Sequence, residues 1–377
     1  MDRTLLGGLT PSAFLKRHWQ KRPLLIRGAI PGFQDPLTLR KLIAFSGNDA
    51  CEARLIISDN SKHQVLFGPF SPKVFRELPE KNWTLLVQGV NHVCREARDL
   101  LYRFAFLPYS RLDDVMVSYA APGGGVGPHF DSYDVFLLQG RGRRRWEVGT
   151  QSNLDLVPDS ELKILQRFHP DGVCVLRRGD MLYLPPRFAH NGTALDSCVT
   201  YSIGFRAPAY EELKTQFLAH LEDYLHIDGQ YRDPGLKPTP HPGRLGNDMI
   251  NQVAAAMSRI RWSRTDVATF LGRYLSEPKP HIVLDRPPDL DYRAFSRRAQ
   301  AEGIEVHPAL PLLYLGKQAF INGEAVVMEP AIEQAVILLA NRRRLTAKQA
   351  RSARRALPTL HGWYGNGYIR LGNGDPN

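Results

Sequence analysis

Apolar and polar positions along this chain change their rhythm twice. Residues 11–19 (PSAFLKRHW) read as a short helix and residues 23–26 as a strand. A helix near 37–46 follows, then strands at 54–58, 64–67 and 83–90. Over 91–104, Val93, Ala97, Leu100, Leu101 and Phe104 recur at helical spacing. From 115 to 206 the pattern is short β runs between glycine and proline turns, which predicts a barrel or sandwich. After Pro208 the helical period returns, with Leu213, Phe217, Leu218, Leu221, Tyr224 and Leu225 on one face. A Pro/Gly-rich linker (233–243) and helical stretches at 248–261 and 264–275 come next. Beyond a proline-rich break (278–288), Asn322-Gly323 sits between two apolar runs, the signature of a hairpin with a type I′ turn. Helices at 331–341 and 347–357, the second capped by Thr346, and a strand at 368–371 complete the chain.

These changes predict an α+β protein in three parts. Residues 1–208 form a β-rich catalytic unit with N-terminal elaborations, 209–288 a helical block, and 289–377 a unit resembling a winged helix. The apolar stripe of the helical block suits either internal packing or a dimer face. No apolar run approaches the ~20 residues of a membrane helix, and the N-terminus lacks signal-peptide order. Four scattered cysteines without a CxxC pair exclude a zinc ribbon and fit a reduced, cytoplasmic setting. The net charge of +11 suits either a solvated surface or a polyanionic neighbour such as RNA. Much of the excess lies in Arg342, Arg343, Arg344, Lys348, Arg351, Arg354 and Arg355, away from the β-rich unit.

The candidate chemistry lies between Pro122 and His190. His129 and Asp131, two apart on an expected strand, project to one side. Downstream, GDMLYLPPRFAH delivers His190 after a strand and a turn. Two histidines and a carboxylate leave three octahedral positions open, which favours Fe(II) over the tetrahedral, His- or Cys-rich sites of Zn²⁺. His92 and His169 read as structural or surface residues. In RRRWEV, Arg144 shares a strand face with Trp146 and Val148, and no acid in that strand faces it. A buried guanidinium needs an anion, and its fork suits a carboxylate. 2-Oxoglutarate meets both requirements, with its 2-oxo acid end on iron and its far carboxylate on Arg144, and O2 takes the last position. The hydroxyls of Ser118 and Thr200 could add hydrogen bonds.

The stretches FLKRHWQKRPLL (14–25), VNH (90–92), LDDVMVSYAAPGGGVGPHFDSYDVFLLQGRGRRRW (112–146), GDMLYLPPRFAHNG (179–192) and YSIGFRAP (201–208) resemble the JmjC branch of the cupin-fold 2-oxoglutarate oxygenases. They are most similar to bacterial ribosomal oxygenases that hydroxylate an arginine of a large-subunit ribosomal protein. The resemblance implies a double-stranded β-helix, Fe(II) at His129, Asp131 and His190, and 2-oxoglutarate at Arg144. It also implies a homodimer through the helical block, with Tyr133 and Asp114 flanking the target side chain. Two positions depart from the pattern: Thr200 stands where relatives often carry asparagine, and Arg187 replaces the glycine of the usual proline turn. Rival readings are the same chemistry on RNA or another protein, a non-enzymatic metal-binding cupin, and a nucleic-acid-binding regulator using residues 290–377.

Overall fold

A computed structural model describes residues 3–59 and 62–372. Helices α1 (Pro11–Arg17) and α2 (Leu39–Phe45) each begin at a threonine, Thr10 and Thr38, whose hydroxyl accepts a first-turn N–H. Eleven strands follow the N-terminal elements or interleave with them: β1 (Leu24–Ile26), β2 (Glu52–Asp59), β3 (Lys62–Phe67), β4 (Trp83–Gln88), β5 (Leu112–Ala120), β6 (Val135–Arg141), β7 (Arg144–Gly149), β8 (Gly172–Leu176), β9 (Met181–Leu184), β10 (Ala189–Ala194) and β11 (Cys198–Phe205). They form an antiparallel sheet of order β1-β9-β6-β11-β5-β4-β2-β3 and a smaller one of order β10-β7-β8. This is the double-stranded β-helix that the family resemblance implies, and the barrel that the β pattern over 115–206 predicts.

The strands of the large sheet have two different faces. Phe136, Tyr183 and Phe205 point outward and meet Phe14 of α1, Trp19 and Phe104, with neighbouring ring centroids 4.6–5.9 Å apart. Such pairs add about 0.5–1.5 kcal/mol each beyond burial. At the edge of this cluster the fully buried Asp134 accepts from the Tyr183 hydroxyl (2.6 Å), Gln20 (3.0 Å) and Arg111 (3.3 Å). The inward face is apolar where β6 and β9 meet the small sheet, through Val135, Leu137, Leu182 and Leu184 against Trp146 and Leu176. Along β5 and β11 it turns polar or small, with Asp114, Met116, Ser118, Ser202 and Gly204, because there it lines a cavity rather than a core.

Two elements expected in the first half of the chain differ. The helix over 91–104 is two helices, α3 (Val90–Val93) and α4 (Arg95–Tyr102), broken at Cys94, whose backbone is extended (φ −126°, ψ 120°). The break lets the buried Asn91 turn its side-chain carbonyl to the Val115 N–H of β5 (2.8 Å). The strand expected at His129 and Asp131 is a single bridge: His129 and His190 exchange both backbone hydrogen bonds (2.9 and 2.8 Å), while Asp131 lies in the following loop. The glycine-rich 122–127 segment carries φ of +77° at Gly123 and +80° at Gly127, which no ladder accommodates.

Beyond the barrel come α5 (Tyr210–Tyr224), α6 (Asn247–Met257) and α7 (Arg264–Ser276). Helix α7 joins α5 through Phe270 and Phe217 (5.3 Å), and its Ser276 hydroxyl accepts from the Gly323 N–H (3.1 Å). The last part adds α8 (Tyr292–Glu302), β12 (Ile304–Val306), β13 (Leu312–Leu315), β14 (Gln318–Ile321), β15 (Glu324–Val327), α9 (Pro330–Arg342), β16 (Arg344–Leu345), α10 (Ala347–Ser352), α11 (Leu357–Gly365) and β17 (Ile369–Leu371). The type I′ turn is present, with φ +52° at Asn322 and +75° at Gly323. Thr346 caps α10 in a reciprocal capping box with Gln349. The helix expected over 347–357 stops at Ser352; a separate α11 starts at Leu357-Pro358, since proline opens helices more readily than it extends them. Arg343, read as part of the basic tail, is buried between the two halves of the chain. It donates to the Tyr102 hydroxyl and the His307 carbonyl (both 3.0 Å).

Candidate metal centre

His129 and His190 reach one another through their backbones, so their rings meet with centroids 4.3 Å apart. Each ring is oriented in the same way. Nδ1 of His129 lies 2.9 Å from the Gly127 carbonyl, and Nδ1 of His190 lies 2.9 Å from that of Phe188. A carbonyl accepts only, so each Nδ1 carries the proton and each Nε2 lone pair is left for a metal. Asp131 joins them, its carboxylate 3.7 Å from His190 Nε2. The backbone N–H of Arg187 donates to the Asp131 carbonyl (2.7 Å) and holds this loop. Arg187 stands at φ +66°, the left-handed conformation that glycine would adopt without strain. One ligand atom from each of His129, Asp131 and His190 falls within 4.8 Å of the others, as binding a single ion requires. Burial and the neighbouring His129 lower the pKa of His190 to about 4, so its imidazole is neutral at physiological pH.

The triad opens into a cavity of about 600 Å³ between the two sheets. At its far end lies Arg144, only 5 % exposed. Its Nη1 donates to Ser118 Oγ (3.1 Å) and its guanidinium lies over the Trp146 ring (5.7 Å), but Nε and Nη2 have no partner. Thr84 Oγ1 and Trp146 Nε1, which line the same space, are also unpartnered. Buried polar groups are rarely left unpaired, and four unpartnered donors on three residues lining one space fit the carboxylate of a small diacid. Val148 pairs with His190 and Arg144 with Ala194, so the cation sits four residues, about 13 Å of strand, beyond the metal end. A five-carbon dicarboxylate and the arginine's own reach bridge that span. Gly192 permits the arrangement, since a Cβ there would stand 2.7 Å from the Trp146 ring.

The other expected residues fall in two groups. Ser118, Tyr133 and Asp114 line the cavity. Thr200 lies opposite Ser118 but does not line it; its hydroxyl donates to the Gln139 side chain (3.1 Å). His92 is packed away from the triad, and burial lowers its pKa to about 4. Asp114 is buried and makes an ion pair with Lys279 (3.0 Å). Burial raises the pKa of its carboxyl and Lys279 opposes that shift. Neither Lys279 nor Thr84 carried a signal in the sequence. The long loop 150–171, which closes the cavity with Leu156 and Leu162, could have been suspected from its length alone.

The JmjC domain family matches residues 99–213, and the ROXA-like winged helix family matches residues 259–370. The ribosomal protein uL16 3-hydroxylase of Escherichia coli K12 is 34% identical over 317 residues, covering 83% of this chain and 84% of that protein. A probable ribosomal oxygenase of Haemophilus influenzae is 40% identical over 218 residues, 56% of this chain and 54% of its own. Among solved structures, the E. coli ribosomal oxygenase YcfD in complex with cobalt and 2-oxoglutarate superposes with a TM-score of 0.80 at 32% identity, over 96% of this chain and 98% of that one.

Proposed function

This chain belongs to the JmjC-domain ribosomal oxygenases, and from that membership we infer that it is an Fe(II)- and 2-oxoglutarate-dependent hydroxylase of a large-subunit ribosomal protein. The observation that carries the reading is the pairing of a three-ligand cluster with an unsatisfied buried arginine across one cavity. When bound, iron, 2-oxoglutarate and O2 would together supply the oxidation of an unactivated C–H bond, releasing succinate and CO2. The chain's own residues do the positioning. His129, Asp131 and His190 would hold the ion; Arg144, with Ser118, would take the far carboxylate. The neutral His190 needs no proton loss before it binds metal at neutral pH. Trp146 and, from the 150–171 loop, Leu156 and Leu162 line this space.

The target we propose is an arginine of protein uL16. The carboxylate of Asp114 and the ring of Tyr133 offer a guanidinium a charge and a flat apolar wall. Incubation with Fe(II), 2-oxoglutarate and unmodified uL16, followed by peptide mass spectrometry, should show one added oxygen on one arginine. Oxygen on another residue type, or on ribosomal RNA only, would reject this target. Such a substrate implies work in the cytoplasm, and no described helix is long and apolar enough to cross a membrane. The exposed Lys348, Arg354 and Arg355 would tolerate nearby RNA.

A homodimer formed through the helical block belongs to the same reading. Helix α6 buries none of its residues within the chain and exposes Met249, Ile250, Val253 and Met257, with Leu218 and Trp262 exposed nearby. Ile250→Glu combined with Val253→Glu should turn the dimer into monomer in light scattering. Two branched side chains lost from an interface cost about 3 kcal/mol or more, roughly a hundredfold or more in Kd. A monomeric wild type at micromolar concentration would refute it.

A further inference from the structure

Helix α7 ends at Ser276, and the next segment crosses back over the barrel before the winged-helix part begins. It is pinned at both ends. Ser276 accepts from Gly323, and His281 Nδ1 lies 3.0 Å from Glu52 at the start of β2. Between them Lys279 turns inward, its side chain three-quarters buried, and its Nζ meets Asp114 Oδ2 (3.0 Å) and Asp113 Oδ1 (3.2 Å). Arg206 approaches Asp113 from β11's end (3.6 Å). Lys279 does not itself line the main cavity; Asp113 and Asp114 do.

This leaves the two oxygens of Asp114 with different surroundings. Oδ2 faces Lys279. Oδ1 faces the cavity, 3.6 Å from where a Cβ on Gly204 would stand, and the Tyr133 ring lies 3.9 Å from that same point. The space over Gly204 is therefore a slot bordered by one carboxylate oxygen and an aromatic ring. Burial and the neighbouring Asp113 push the Asp114 carboxyl towards its protonated form, while Lys279 and a hydrogen bond from the Gln88 side chain favour the carboxylate. A protonated acid recognises a guanidinium poorly.

We propose that Lys279 is a positioning residue for substrate: its ion pair holds the Asp114 carboxylate turned so that one oxygen receives the cationic side chain of the target. The proposal rests on the hydroxylase reading above and assigns to the C-terminal third a part in choosing the target. Lys279 acts through Asp114 and touches neither metal nor co-substrate, so its effect falls on substrate charge. Arg206 and Lys279 together offset Asp113 and Asp114, which leaves the slot close to neutral before substrate enters. A cation arriving there gains one short charge-assisted contact and a stacking surface, whereas a neutral isostere gains only the surface.

The test compares two basic peptides that differ only in arginine or citrulline at the target position, using the full-length protein. Wild type should favour the arginine peptide at least roughly tenfold in KM and in equilibrium binding, the worth of a hydrogen bond to a charged group. Lys279→Met should lose most of that preference, with kcat and the KM for 2-oxoglutarate unchanged, and Lys279→Arg should restore it. In an Asp114→Asn background, Lys279→Met should change nothing further, an outcome a general packing role would not produce. If Lys279→Met fails to fold, Lys279→Gln carries the same comparison. Full discrimination in the methionine or glutamine variant, or additive losses in the double variant, overturns the proposal. Should wild type oxidise neither peptide, the hydroxylase reading fails, while the binding preference and its loss still decide the role of Lys279.

Discussion

Alanine in place of His129 is expected to abolish turnover and to lower metal affinity more than roughly a hundredfold. Partners that merely orient a ligand histidine are worth about 10–100-fold in affinity or activity, and the ligand itself is worth more. The loss should appear without any activity assay, as absent saturable Co(II) binding in calorimetry or in the visible spectrum. The variant should still fold. The bridge between residues 129 and 190 is made by backbone N–H and C=O groups, which alanine keeps. The deleted ring is only partly buried, unlike that of His190. Stoichiometric Co(II) binding by His129→Ala at wild-type affinity would remove this histidine from the proposed ligand set.

Methionine in place of Arg144 should have effects of opposite sign on stability and on co-substrate binding. In the apoprotein the guanidinium is buried with two of its three nitrogens unpartnered, an arrangement that apolar side chains of similar volume improve by about 1 kcal/mol or more. That corresponds to a rise in Tm of roughly 2–4 °C per kcal/mol. For 2-oxoglutarate the change removes one partner of a buried charge pair, a loss of about 2–5 kcal/mol or at least roughly thirtyfold in KM. Excess 2-oxoglutarate with a non-turnover metal should raise the wild-type Tm through linkage and leave the variant unmoved, reversing their order. An unchanged KM for 2-oxoglutarate would reject the role assigned to this arginine.

Features carried by local spacing were legible in the sequence. The parity of RRRWEV placed Arg144 inward and Arg143 and Arg145 outward; the structure buries the first and pairs the others with Asp196 and Glu147 at the surface. The proline turn before His190 and the short spacing from His129 to Asp131 were visible for the same reason. The strand drawn through those two residues was not correct, because a two-residue period also describes an extended loop held by one bridge. Cys94 interrupts a helical stripe without altering it, so the apolar pattern alone predicted a continuous helix. Thr200 has the inward parity of Ser118, yet parity does not reveal that Gln139 engages its hydroxyl. Lys279 was invisible for a different reason. Nothing near it in the chain demands a carboxylate, and the demand comes from Asp114 on a distant strand.

The ion pair between Lys279 and Asp114 also has a meaning in time. The two partners are separated by 165 residues. During synthesis Asp114 is made 165 residues ahead of its counter-charge. A barrel that closed before Lys279 arrived would bury Asp114 without the ammonium that meets it, a state in which burial favours the protonated acid. Maturation of the pocket is thus tied to the emergence of the last quarter of the polypeptide.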